Sequence, residues 1–334
     1  MTSADRALAP KLDRSRTARL QEKLESPVTS IAIALAVVIG VGLAWFGGSY
    51  LSASNLSIIG SFAAVPIIVG TLSGLALLSG VVDLSIGSMV GFSATIFALL
   101  TSNGWDAWET AVICLALTVI FGVINAVVIV SLGADPIAAT LGMLTVLRGL
   151  STVFNGNTGA IASLVSDFYD FLNQRVGPFP ILFVFAIVGV GLATLMVVKT
   201  RLGRHVRAAG GDERAAGRAG ISVVRIRYGA LILSALGAGV GGILYIGQLG
   251  GSSSLLGTGL EFQIYAALMI GGFSILRGGV GNPAGGVMGL LVVAGVGNML
   301  DVKAINPYYV NVIVGVLLVG AVLLDRLRGG DAYE

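Results

Sequence analysis

The sequence predicts an all-α, polytopic membrane protein of about ten transmembrane helices, and three observations carry that prediction. Apolar residues make up 55% of the 334-residue chain and charged residues only 11%, with a mean hydropathy of +0.94. A soluble domain would carry about a quarter of its residues charged. The apolar residues fall into successive windows of about 20, the length of helix that crosses a hydrocarbon core of about 30 Å. The arginines and lysines between those windows gather on alternate loops, as the positive-inside bias requires.

Taken in order, residues 1–27 form a basic tail with Arg6, Lys11, Arg14, Arg16, Arg19 and Lys23 and no apolar run. The long apolar run that follows, with no small-residue cleavage site behind it, predicts a retained first span. A transmembrane domain over 28–326 is then expected, with spans at 28–48, 56–79, 86–101, 109–131, 135–154, 179–199, 225–249, 262–276, 282–300 and 308–325. The spans near 86 and 262 are short. They either cross a locally thin region or enter and break, which backbone tolerates only against protein or a watery cavity. If both are re-entrant, eight spans remain. With the amino terminus inside, the loop 200–227, Arg277 and the carboxy-terminal tail 327–334 also fall on the cytoplasmic side. Spans two to five and seven to ten then make two inverted four-helix groups. The pI near 9.1 reflects this bias and contact with anionic lipid, and points to no nucleic acid.

Glycine supplies 49 residues, and pairs four apart such as Gly70 and Gly74, Gly87 and Gly91, and Gly237 and Gly241 place small residues on one helix face for close packing. Cys114 is the single cysteine, so no internal disulfide forms. A dinucleotide-type pattern at Gly237, Gly239 and Gly242 lies inside a span and is discounted, and no Gly-Lys pair exists to make a P-loop. The sequence therefore predicts no catalytic residues, no metal ligands and no cofactor, and any energy from ATP must arrive through a partner. The sole histidine, His205, sits solvated among arginines.

Polar residues in apolar surroundings mark candidate positions in a translocation path or at helix breaks. In the stretch 79–88 these are Asp83, Ser85, Gly87 and Ser88. A carboxylate within the membrane points to a function or a paired partner, and Asp83 equally fits a cap on the next helix. Glu261 and Gln263 open a short span, where they either bond an incoming solute's hydroxyls or cap the helix. Asn125 and Asn298 lie inside spans, as path residues or interhelical bonds. Asp135-Pro136 reads as a helix start, Arg148 as a snorkelling or carboxylate-paired side chain, and Asn155-Gly156-Asn157 as an exposed turn. In the loop 200–227, Asp212 is an amino-terminal cap, Ala215, Ala216 and Ala219 form a flat small-residue face, and Gly220 suits the left-handed stop. A two-turn helix results, too short to be stable alone, and a groove in a cytoplasmic partner is the candidate support.

At these residues the chain resembles the permease subunits of ATP-binding-cassette importers for ribose, xylose, galactose and related compounds, a superfamily shared with branched-chain amino-acid permeases. The resemblance runs from about residue 56 to residue 327. It rests on 79–88, on Ala139-Thr140-Leu141-Gly142-Met143 with Arg148-Gly149, on Thr200-Arg201-Leu202-Gly203 running into Gly210-Gly211, and on Gly259 to Glu261 with Gly271-Gly272-Phe273-Ser274 and Gly278-Gly279. It implies a non-catalytic permease subunit, in a bacterial plasma (inner) membrane with both termini cytoplasmic, forming the path for a small sugar or polyol. It further implies a cytoplasmic ABC ATPase, an extracytoplasmic sugar-binding protein and a second permease copy in a homodimer. Gly211, Asp212, Glu213, Arg214, Ala215, Ala216 and Gly220 match the place where such permeases dock on the ATPase. Phe262-Gln263-Ile264, Asn282-Pro283-Ala284 and Val310 depart from the family's usual residues, so the resemblance leaves the substrate open. The alternative is a secondary transporter or channel for a small polar solute, which would need ion-coupling carboxylates in the bundle.

Overall fold

The structure is a computed structural model, and it describes residues 27–156, 160–161, 167–306 and 308–328. Most of the expected tails, 1–26 and 329–334, lies outside the described residues, as does Asn157. Helices dominate. Helix α1 spans Pro27–Phe46 and tightens into a 3₁₀ turn, Gly47–Leu51. Helix α2, Ala53–Leu78, starts where the Ser52 side chain accepts from the Asn55 amide. Helix α3, Ile86–Ser102, is followed by α4, Ala107–Ala126, which is capped by Asp106 and runs on through a π turn, Val127–Ser131. Helix α5, Pro136–Asn155, begins with proline at its first turn and the Asp135 side chain accepting from the Ala138 amide, as the sequence predicts.

The short α6, Asp167–Leu172, leads to α7, Ile181–Lys199. Next come α8, Arg201–Gly211, and α9, Glu213–Arg218, then the long α10, Val223–Leu249. Helices α11, Leu260–Ile270, α12, Pro283–Val302, and α13, Tyr308–Arg328, complete the described chain. Two small antiparallel pairs depart from the all-α expectation. Ala160–Ile161 pairs with Gly251–Ser252, and Arg175–Val176 with Phe179–Pro180.

Seven described helices are long and apolar enough to cross a membrane, and Ile86–Ser102, Leu260–Ile270 and Tyr309–Gly320 are shorter apolar helices. At 1.5 Å per residue, α3 is about 25 Å long and α11 about 16 Å. Both sit inside the protein. Helix α3 is buried along almost its whole length, packed between α4, α5 and α10, while α11 lies against α12 and α13. Helix α10 is the central strut, in contact with α2, α3 and α4. Large apolar side chains on the outer helices, such as Val112, Val153, Leu192 and Val316, remain exposed. So much apolar surface marks a chain whose solvent is lipid. This is a multi-pass membrane protein.

The expected span 262–276 is corrected to Leu260–Ile270. The helix stops because Gly271-Gly272 cannot continue it, Gly272 taking φ 88°, and the Phe273 amide turns back to the Leu268 carbonyl. The loop 200–227 is corrected as well. It holds two helices instead of one, because Thr200 caps α8 by accepting from the Gly203 amide and Val206 and Ala209 bury one face of it.

Candidate functional site

Loop 79–85 is the polar centre of the molecule. The Asp83 carboxylate is fully buried, and its Oδ1 accepts from the Ser85 hydroxyl at 2.5 Å and the Ser85 amide at 3.1 Å. Its Oδ2 accepts from the Ser234 hydroxyl of α10 at 2.9 Å. The Ser85 hydroxyl in turn accepts from Asn125 Nδ2 on α4 at 3.0 Å, and the Thr140 hydroxyl of α5 accepts the Leu84 amide at 3.1 Å. Tyr265 on α11 takes both backbone groups of Asp83. One seven-residue loop is thereby tied to α4, α5, α10 and α11.

The reading of Asp83 as a helix cap is corrected by this geometry. Helix α3 begins at Ile86 without a side-chain cap, and Asp83 closes a turn two residues on while reaching across to α10. Asn125 is an interhelical bond within the same network, and Ser88 returns its hydroxyl to the Ser85 carbonyl at 2.8 Å. Asn298 stands elsewhere, paired with Asn55 of α2 through both amides, at 3.0 and 3.1 Å.

The second polar group gathers where α11 begins. Glu261 is buried, and its Oε2 has no hydrogen-bond partner. Gly259 is the cap residue of α11, and the Glu261 side chain packs against Gly87 of α3. A Cβ on Gly87 would collide with that carboxylate and with the Gly257 carbonyl, so the first turns of α3 and α11 touch through glycine. Arg148 on α5 donates to the hydroxyl of Thr258, just before the start of α11. Gln263 is half-buried beside Glu261. Asn155 is corrected from an exposed turn to a buried group, because its Nδ2 donates to Thr95 on α3 at 2.8 Å and its Oδ1 accepts from Ser252 at 2.6 Å.

The third group is α9. The Asp212 side chain accepts from the Ala215 amide at 2.9 Å, and Gly220 takes φ 79°, so cap and stop lie where the sequence placed them. The flat alanine face does not hold together. Ala216 is buried against Ala209 and Val223 of its own chain, while Gly211, Asp212, Glu213, Arg214, Ala215 and Gly220 are exposed.

Residues 56–322, with these three groups inside them, match the family described as branched-chain amino acid transport system / permease component. The chain belongs to that family. Among its relatives, the D-allose transport system permease protein of Escherichia coli (strain K12) is 29% identical, over 88% of this chain and 90% of the relative. The ribose import permease protein of the same strain is 30% identical over 89% and 92%. The galactose/methyl galactoside import permease protein of Salmonella typhimurium (strain LT2) is 30% identical over 84% and 88%. No solved structure is significantly similar.

In this permease the sequence reading missed Tyr265, Ser234 and Arg227. Ser234 carried a signal, a hydroxyl alone in an apolar span. Tyr265 and Arg227 carried none, because Asp83 and Ser79, to which they reach, lie 182 and 148 residues away in the chain, and the pairing of Arg227 with Glu213 crosses from one helix to another.

Proposed function

We propose that this permease is the membrane subunit of an ATP-driven importer in a bacterial inner membrane, and that it forms the path for a small sugar or polyol. The observation that carries the reading is the match along 56–322, joined to relatives whose names specify D-allose, ribose and galactose. Partners of the same reading are a cytoplasmic cassette ATPase meeting the exposed side of α9, an extracytoplasmic binding protein and a second permease copy. Both termini are cytoplasmic, and spans two to five and seven to ten form two inverted groups. The path runs beside the meeting point of α3 and α11, where Gly87 meets Glu261, with Asp83 and Ser85 in the loop before α3, Ser88 in its first turn and Gln263 in the first turn of α11. The alternative of ion-coupled secondary transport is disfavoured by the Asp83 carboxylate, whose oxygens are already held by Ser85 and Ser234.

The test is to purify the tagged full chain from its native membrane. The reading expects a cassette ATPase to come with it, and uptake of labelled ribose, galactose or D-allose to require ATP. Uptake driven by an ion gradient, with no ATPase recovered, would overturn the reading. For orientation, cysteines replacing Asn103 and Asp212 should label from opposite sides, and labelling from one side refutes the topology.

A further inference from the structure

Arg227 stands at the start of the second turn of α10 and bridges two elements. Its Nη1 lies 2.9 Å from Glu213 Oε2 on α9, and its Nε donates at 3.4 Å to the carbonyl of Ser79, the residue that closes α2 and opens the Asp83 loop. Seven residues on, the same helix carries Ser234, whose hydroxyl holds Asp83. That spacing is two turns, so both side chains project from one face of α10, about 10 Å apart. Loop 79–85 is therefore strapped to α10 at two points. Only the Arg227 strap is shared with α9.

The surroundings leave that strap free to move and let the movement pass on. A cavity of about 360 Å³, bordered by Gly80, Val81, Glu213 and Arg227, lies beside it. Behind it the end of α8 meets the end of α2 with no side chain between them. A Cβ on Gly210 would strike the Leu78 carbonyl and stand 2.6 Å from the Gly279 nitrogen, and the Gly279 amide donates to the same Leu78 carbonyl at 2.8 Å. A long 3.4 Å bond to a carbonyl is weak and exchanges easily, whereas the 2.9 Å ion pair holds Arg227 to α9.

We propose that Arg227 is a positioning residue that transmits displacement of α9 to the Asp83 loop, by giving up or restoring its bond to the Ser79 carbonyl. The proposal rests on α9 being the docking segment for the ATPase. When α9 shifts, Glu213 carries the guanidinium with it. The Ser79 carbonyl then loses its donor, and of the loop's two ties to α10 only the Ser234 bond remains.

The test uses the full complex purified from native membranes and reconstituted in vesicles, with Arg227→Gln, Arg227→Lys and the exchange of Glu213→Arg with Arg227→Glu. Arg227→Gln is expected to raise hydrogen exchange of the amides in 79–85 about tenfold, and to lower sugar uptake by a similar factor, while ATP hydrolysis and abundance stay within about twofold. Arg227→Lys, which keeps a charge and a donor, recovers uptake. The exchanged pair restores the ion pair but sets a carboxylate against the Ser79 carbonyl, so it stays uncoupled. Recovery of uptake by the exchanged pair would overturn the proposal, since the ion pair alone would then suffice. Uptake and hydrolysis falling together with abundance would overturn it too, since Arg227 would then be only a brace. An unmodified complex that contains no ATPase instead sinks the functional reading itself, before any variant is compared.

Discussion

The Tyr265 hydroxyl donates to the Asp83 carbonyl and accepts from the Asp83 amide, each at 2.9 Å, so a single phenol satisfies both backbone groups of a buried residue. Tyr265→Phe leaves that carbonyl and that amide unpaired in a site closed to water. Each unpaired group costs about 1–3 kcal/mol. The purified variant should melt several degrees lower than the parent, and uptake should fall with it. An unchanged melting temperature would show that the loop finds other partners.

Ser234→Ala removes one of the donors to the Asp83 carboxyl, a hydrogen bond worth about 0.5–1.5 kcal/mol. Asp83→Ala removes the hub altogether, freeing the Ser85 amide and hydroxyl and Ser234 at once. Uptake is expected to drop further than membrane abundance in both variants, and further for Asp83→Ala. Equal loss of protein and uptake, read from immunoblot and transport on the same cells, would assign the loop a purely structural role.

Gly87→Ala should be refused where Gly142→Ala is accepted. The new methyl at 87 meets both Glu261 and the Gly257 carbonyl, while nothing lies within 4 Å of the corresponding position at 142. Overpacking of this kind costs about 1–3 kcal/mol or more. Because the Gly257 carbonyl is backbone and stays in place, adding Glu261→Ala should not rescue Gly87→Ala. Thermal melts of the single and double variants decide it.

Ala215→Trp and Ala216→Trp should separate two faces of one short helix. Ala216 is buried against Ala209 and Val223, so a tryptophan there breaks the permease's own packing and lowers its abundance. Ala215 is exposed, so its tryptophan variant should insert normally and lose association with the ATPase. Co-purification of the ATPase with each variant is the measurement, and retention by Ala215→Trp would exclude this face from docking.

The sequence carried the helices better than it carried their partners. Caps such as Asp135, Asp212 and Gly220 are local features, and each one lies where its residues place it, whereas the apolar window 262–276 ran past the glycines that stop α11 at Ile270. Asp83, Glu261 and Asn125 stood out because polar groups are conspicuous in apolar surroundings, yet their bonds could not be read. Asp83 binds Ser234 across 151 residues, and Asn155 binds Thr95 across 60, so local spacing held no trace of either contact. The same blindness turned Ala216 outward in the reading. A flat alanine face on an isolated helix looks identical on both sides until α8 and α10 are packed beneath it.

The reciprocal amide pair of Asn55 and Asn298 has a consequence for how the chain is made. These residues lie 243 apart in sequence, and at about 5–20 residues per second synthesis separates them by roughly 12–50 seconds. Throughout that interval Asn55 has only the Tyr50 carbonyl for its side chain, and the rest of its amide must stay in contact with headgroup water or the insertion machinery. Biogenesis thus has a late closing event. The first two helices can dock in their final rotation only once α12 has emerged, and a nascent permease stalled before that point offers a quality-control protease an amide that the finished protein hides.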